Sequence, residues 1–218
     1  DSIGSTNDEA LAWAATGAND LSIVIADEQT QGRGRLNRRW FTPKGSALAF
    51  SLILRPTAAQ RPHLSQTVGL AALSIAESFS RNGLSPQIKW PNDILLHGKK
   101  SVGILVESVW SGEDIDSLVI GMGINVYKDS VPPADMLQFP ATSLEEMLGQ
   151  KTPKREEILL SVLDSFMHWR EHLGTNELIL AWEERLAFRG KQVEVKAGNE
   201  SPISGVVDGL ESDGSLRL

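Results

Sequence analysis

Apolar positions along the chain follow two different periods. Leu21–Ala26, Ser46–Leu54 (SALAFSLIL) and Leu118–Val126 (LVIGMGINV) are short, nearly continuous apolar runs, which predict buried strands. Ile94–Leu96 and Val102–Val109, joined by a turn at Gly98-Lys99-Lys100, predict a β-hairpin. Leu64, Val68, Ala71, Ala72, Ile75 and Phe79 recur at helical spacing, and Gly83 supplies a stop. Arg155–Leu173 is amphipathic through Ile158, Leu159, Val162, Leu163, Phe166 and Trp169, and Asn176–Phe188 predicts a helix after it. Near the start, Thr6-x-x-Glu9 has the form of a capping box before Ala10, Leu11, Trp13 and Ala14, ending at Gly17. Ser143-x-x-Glu146 has the same form, and proline-rich Val131–Pro140 predicts a surface loop.

The pattern changes at Arg189-Gly190. Lys191–Leu218 alternates short apolar stretches with turns at Ala197-Gly198-Asn199 and Ser212-Asp213-Gly214. Two domains are therefore expected, 1–189 and 190–218. The second is a small β-unit with too few strands to close a barrel, so it is expected to be truncated.

Composition removes several function classes. With 218 residues, 41% hydrophobic and 22% charged, the chain can build one good core with a small appended domain. A formal net charge of −7 argues against general nucleic-acid binding through a basic surface. Without cysteine, disulfides and thiolate zinc sites are excluded. No apolar run reaches membrane-spanning length and no signal-peptide pattern is present, so a cytoplasmic location is the default expectation.

Candidate chemistry gathers in Thr30–Trp40. Arg33, Arg35, Arg38 and Arg39 crowd a stretch in which Gly32 and Gly34 alternate with the first two, and Trp40 closes it. Glycine lets a backbone approach a ligand, guanidinium forks suit phosphate and carboxylate, and an indole offers a face to a base. An exposed basic loop beside a core tryptophan would look the same. Elsewhere, Ser5, Thr6 and Asn7 are more small polar side chains than one helix cap requires. Lys89-Trp90-Pro91-Asn92-Asp93 fixes a cation, an indole, a carboxamide and a carboxylate in a bend. Gly103, Gly121 and Gly123 sit within strands, where glycine marks a close approach, and Asn125 could read a base edge. Glu107, in an apolar strand, must face solvent or be paired. His168 and His172 have metal-ligand spacing but no supporting acidic motif, and read as surface histidines. There is no Ser-His-Asp constellation, reactive thiol or carboxylate dyad, so positioning and charge stabilisation are the expected catalytic means.

Taken in order, Ser5-Thr6-Asn7, Gly32-Arg33-Gly34-Arg35 with Arg38 and Trp40, Lys89-Trp90-Pro91-Asn92-Asp93, Lys100-x-x-Gly103-Ile104-Leu105-Val106-Glu107 and Gly121-x-Gly123-Ile124-Asn125 closely resemble the biotin protein ligases. The segment from Gly190 resembles that family's C-terminal SH3-like domain. The resemblance implies an α+β fold, a mixed, mostly antiparallel sheet flanked by helices and related to class II aminoacyl-tRNA synthetases. It implies that biotin and ATP, with Mg2+, give biotinyl-5′-AMP, and that a lysine of a biotin carboxyl carrier protein then takes the biotin. By motif position, Ser5, Thr6, Asn7, Gln29, Arg33, Gly34, Arg35, Lys100 and Gly103 would serve biotin. Arg38, Trp40, Lys89, Asn92, Asp93, Gly121 and Asn125 would serve the nucleotide, with Trp40 stacking on adenine. Lys100 and Arg35 would be catalytic, Lys100 lying between the biotin carboxylate and the α-phosphate. Asn37 stands where the family often has glycine, and asparagine tolerates left-handed backbone. No helix-turn-helix precedes Asp1, so DNA binding is not expected; homodimerisation is left open. Lipoate ligases and lipoyl or octanoyl transferases share the implied fold, and a non-catalytic ligand- or nucleic-acid-binding module is the alternative from another class.

Overall fold

A computed structural model describes residues 1–196 and 201–218, so the expected turn at 197–199 lies outside the described residues. The strands are β1 (Ser2–Ile3), β2 (Ile23–Ala26), β3 (Glu28–Gln29), β4 (Ala47–Leu54), β5 (Gln87–Lys89), β6 (Asp93–Leu96), β7 (Lys99–Ser111) and β8 (Asp114–Asn125). β9 (Gln192–Val195), β10 (Ile203–Val206), β11 (Gly209–Leu210) and β12 (Leu216–Arg217) follow. The helices are α1 (Thr6–Ala15), α2 (Thr67–Arg81), α3 (Leu144–Leu148), α4 (Arg155–Glu171) and α5 (Asn176–Glu184).

A six-stranded sheet, ordered β2-β4-β8-β7-β6-β5, is antiparallel throughout. Parallel pairing occurs in the separate β1–β3 ladder and in isolated bridges at Ile88–Leu186 and Lys100–Ala141. Strand parity explains the two faces. Leu48, Phe50, Leu52 and Leu54 of β4 and Leu118, Ile120, Met122 and Ile124 of β8 point to one side, where α2 and α4 close the main core. On the other side Ile53 and Val119 meet Ala10 and Ala14 of α1. Small alanines let that helix lie close to the sheet, which brings its first turn down onto the strands.

Several local expectations need correction. Ser5, not Thr6, precedes α1, and its side chain makes no capping bond. The Thr6 hydroxyl is taken up by tertiary partners instead. β2 is an edge strand rather than a buried one, with Ile25 51% exposed, and Leu21 has a left-handed backbone (φ 63°). The β6–β7 turn is His97-Gly98 (φ 48° and 75°), so Lys99 and Lys100 lie in strand β7. The helix from Asn176 ends at Glu184, well before Phe188 (φ 64°). Ser143 caps α3 as expected, accepting from the Glu146 N–H. His168 is exposed on α4, and His172 lies 3.4 Å from Glu177.

The C-terminal strands form two antiparallel pairs, β9–β10 and β11–β12. They are docked on the rest of the chain: Trp90 Nε1 donates to the Gly214 carbonyl at 2.9 Å and Gln66 Nε2 to Ser212 at 2.7 Å. Trp182, fully buried, packs between Gly69 of α2 and Gly214. A side chain at Gly69 would collide with its indole. Gly69→Ala should therefore lower the unfolding free energy by about 1–3 kcal/mol, the usual cost of overpacking. A urea titration would show this as a lower midpoint at unchanged slope; an unchanged midpoint would mean that the helix and indole separate at no cost.

Candidate active site

The face of the sheet away from the main core carries a row of small residues. Ala49 (β4), Gly123 (β8), Gly103 (β7) and Asp93 (β6) are in register across four strands. The next row is Ser51, Gly121 and Leu105. Glycines weaken a strand unless something must approach its backbone. Here two things do. The indole of Trp40 lies against Gly103 and Gly123, where a Cβ would collide with it. The carboxamide of Asn7 lies against Gly121, where again there is no room for a side chain.

Cations collect at the Asp93 end of the floor. Lys100 Nζ is 2.6 Å from Asp93 Oδ1, and Lys89 Nζ is 3.1 Å from Oδ2. Asp93 is 8% exposed, so removing both partners would leave a nearly buried charge unpaired. Two ammonium groups on one carboxylate leave one net positive charge. Lys100 also sits 5.5 Å over the Trp40 ring, and Lys89 5.2 Å over Phe139.

A register shift aims Lys100. Asp93 pairs with Gly103 and Ile94 with Val102, but Leu95 pairs with Lys100, leaving Ser101 as an extra residue. Shifting a strand by one residue turns each side chain to the opposite face. Uninterrupted alternation from Gly103 would put Ser101 on the glycine face and Lys100 toward the helices. The bulge instead returns Lys100 to the face of Asp93 and Gly103. Hydrogen bonds from Lys100 N–H to the Pro140 carbonyl (2.7 Å) and from Thr142 N–H to the Lys100 carbonyl (2.9 Å) fix its backbone. Asn125, on the same face as Gly121 and Gly123, supports the same segment, its Nδ2 donating to the Thr142 carbonyl at 3.1 Å.

At the other end lies a polar network. Thr6 N–H donates to Gln29 Oε1 at 2.8 Å, with the Thr6 hydroxyl 3.1 Å from the same oxygen, and Gln29 Nε2 donates to Thr42 Oγ1. Ser51 Oγ lies 2.6 Å from Asn7 Oδ1 and 2.8 Å from Thr6 Oγ1. Asn7 Nδ2 donates to Glu107 Oε2 at 2.8 Å. Ser5, Thr6, Asn7 and Ser51 are all buried.

The arginine loop is a small hairpin over this floor. Gly34 N–H donates to the Arg38 carbonyl, Trp40 N–H to Gly32, and Arg33 bridges Arg39. Leu36 and Asn37 at its tip are both left-handed (φ 55° and 58°). Asn37 thus adopts the conformation that asparagine tolerates, whereas Leu36 does so without that help. Arg35 Nη1 donates to Asn92 Oδ1 at 3.1 Å, and Asn92 Nδ2 to the Ile104 carbonyl. Arg33 forms a two-pronged pair with Glu107 (2.9 and 2.7 Å) and reaches Asp8 at 2.8 Å. The hydrogen bond to Glu107 above all raises the guanidinium pKa above its ordinary value. Arg38 is exposed at the tip. On the far side of the loop's root, Arg155 holds the Asp27 carboxyl below its usual range by hydrogen bonding and charge.

The predicted residues thus fall into two clusters flanking one floor: Lys89, Asn92, Asp93, Lys100, Arg35 and Trp40 on one side, and Ser5, Thr6, Asn7, Gln29 and Arg33 on the other. Ser51, Asp8 and Thr42 were not foreseen. For Ser51 the signal was present: Ala47, Ala49 and Ser51 alternate as the small side of SALAFSLIL.

The fold is that of an α+β protein, and such a face suits a small ligand with a neutral polar end and an anionic end. Residues 1–125 match the model of the biotin/lipoate A/B protein ligase family, and the chain belongs to that family. It is 35% identical to the bifunctional ligase/repressor BirA of Bacillus spizizenii, over 100% of this chain and 67% of that protein. It is 33% identical to the biotin–[acetyl-CoA-carboxylase] ligase of Paracoccus denitrificans, over 98% of this chain and 90% of that protein. Among solved structures, the biotin protein ligase from Aquifex aeolicus in complex with biotin and ATP superimposes with a TM-score of 0.84 at 29% identity, covering 99% and 88% of the two chains.

The glycine floor yields a direct expectation. Gly123→Ala would lift the Trp40 indole, since the added methyl meets its Nε1 edge. Base–aromatic stacking is worth about 1–3 kcal/mol, so ATP affinity should fall roughly tenfold while biotin affinity changes little. Calorimetric titration of each ligand checks this; equal losses for both would remove Trp40 from the nucleotide side.

Proposed function

We propose that the chain is a biotin protein ligase, activating biotin with ATP and passing it to a lysine of a biotin carboxyl carrier protein. The observation that carries this reading is the pairing across one glycine floor of a cationic cluster and a network of hydroxyls and carboxamides. A ureido ring is neutral and needs matched donors and acceptors, which Ser5, Thr6, Asn7 and Gln29 can supply. A carboxylate and a triphosphate repel each other, and Lys100 with Arg35 can neutralise both. The related proteins named above act on or bind these substrates, which supports the assignment.

In the first step a biotin carboxylate oxygen attacks the α-phosphorus of ATP, and the bond to pyrophosphate breaks. Lys100 and Arg35 stabilise the charge gathering between the two reactants. In the second step the carrier's lysine amine attacks the acyl carbon, the bond to AMP breaks, and the amine loses a proton. Trp40 Nε1 is buried against Gly123 with no hydrogen-bond acceptor among the described residues, so the ring serves the nucleotide by stacking. Mg2+ would enter on the nucleotide's phosphates. The carboxylates nearest the floor, Asp93 and Glu107, are already engaged by cations, so the chain presents net positive charge to that complex. Residues 190–218 are read as a small β-domain of the SH3-like kind, docked through Gly214 onto Trp90. A cytoplasmic location follows from the need for ATP and carrier protein.

A pyrophosphate-release assay separates the family's chemistries. Biotin should support release, and lipoate or octanoate should not. Lys100→Ala should slow the burst by about 10²–10³-fold, the usual cost of losing one well-aimed stabiliser. Lys99→Ala should be mild, because Lys99 pairs with Glu146 away from the floor. Release with lipoate alone would move the assignment to the family's other branch, and an unchanged burst in Lys100→Ala would remove that residue from the mechanism.

A further inference from the structure

Two of the loop's four arginines, Arg33 and Arg35, reach side chains of the sheet and its turns, but in opposite electrostatic surroundings. Arg35 is met by the neutral carboxamide of Asn92, whereas Arg33 is met by two carboxylates. The Glu107 carboxylate spends both oxygens on the Arg33 fork, and Oε2 also accepts from Asn7 Nδ2 at 2.8 Å. An ionised carboxylate only accepts, so it fixes the Asn7 carboxamide with Nδ2 toward Glu107 and Oδ1 toward Ser51. The one Ser51 proton then goes to Asn7 Oδ1, so Ser51 can only accept from the Thr6 hydroxyl, and Gln29 Oε1 is held by the Thr6 N–H.

We propose that Glu107 is a positioning residue. It latches the arginine hairpin to β7 through Arg33 and sets the donor order of the polar cluster, leaving Arg35 as the loop arginine free for the acyl-phosphate. The functional half of this rests on the ligase reading; the latch itself does not. Arg33 and Glu107 side chains are 37% and 26% exposed, so solvent screens the pair and it does little for global stability. Its effect is local. A hairpin held by few buried contacts opens by fluctuation, and a two-pronged charge-assisted pair opposes that opening. Arg33 is therefore needed for its fork rather than for its charge alone.

The loop carries its own reporter, because Arg35, Arg38 and Arg39 are exposed trypsin sites. Limited trypsin digestion of the ligand-free full chain compares wild type with Glu107→Gln, Arg33→Met, Arg33→Lys and the Glu107→Gln/Arg33→Met double variant. Each is first shown to keep the wild-type thermal unfolding midpoint within a few degrees. Gln keeps the shape of Glu107, so it stays informative if Glu107→Ala fails to fold. Cleavage within 35–39 should quicken about tenfold in both neutralising single variants, and the double variant should be no faster than either, as expected for partners in one interaction. Arg33→Lys should be cleaved like Arg33→Met. Steady-state kinetics add the split that a purely structural role would not give: in Glu107→Gln the KM for biotin should rise about tenfold while that for ATP stays within about twofold. Wild-type cleavage rates in Glu107→Gln, additive effects in the double variant, or full rescue by Arg33→Lys would each overturn the latch. Equal rises in both KM values would overturn the ordering of the polar cluster. Should no variant, wild type included, adenylate biotin, the ligase reading fails while the digestion cycle still decides the latch.

Discussion

The site depends on a flat place in a twisted sheet. Side chains normally stand between a sheet and anything laid upon it. At the row Ala49, Gly123, Gly103 and Asp93 they nearly vanish, and an indole can rest on backbone. Around that floor the remaining parts have little choice. Asp93 ends the row and gathers two lysines, Gly121 admits Asn7, and the loop that brings Trp40 must carry glycine at Gly32, where a side chain would strike the Trp40 carbonyl.

Opposed charge is sorted across the floor. Cations exceed anions at the Lys89–Asp93–Lys100 cluster, whereas Arg33 meets two carboxylates. An acidic chain thus offers a local positive site without a basic surface. Two anionic reactants can be brought together at one end while a neutral ring is hydrogen-bonded at the other.

Much of this was legible before the structure. The strand glycines announced a close approach, and Gly103, Gly121 and Gly123 each have one. Glu107 announced a partner and has Arg33 and Asn7. The C-terminal change of pattern at Gly190 coincides with short paired strands. What stayed hidden depends on tertiary competition. Thr6 looks like a cap because its spacing to Glu9 is right, yet Gln29 and Ser51 claim its hydroxyl. Lys99-Lys100 looks like a turn because lysines favour exposure, yet His97-Gly98 takes the left-handed positions. The bulge at Ser101 leaves no periodic trace, since one inserted residue in a short strand reads as ordinary alternation from either side. Leu21–Ala26 looks buried because its composition is apolar, and only the sheet order reveals an edge.

The most direct test is a crystal structure with a non-hydrolysable biotinyl-adenylate analogue. The floor predicts a phosphate oxygen within hydrogen-bonding distance of Lys100 Nζ, with adenine against the Trp40 indole while that indole remains over Gly103 and Gly123. The ureido ring should then meet the Ser5–Asn7 turn. A phosphate bound elsewhere, out of reach of Lys100 and Arg35, or an indole displaced from the glycines, would contradict it.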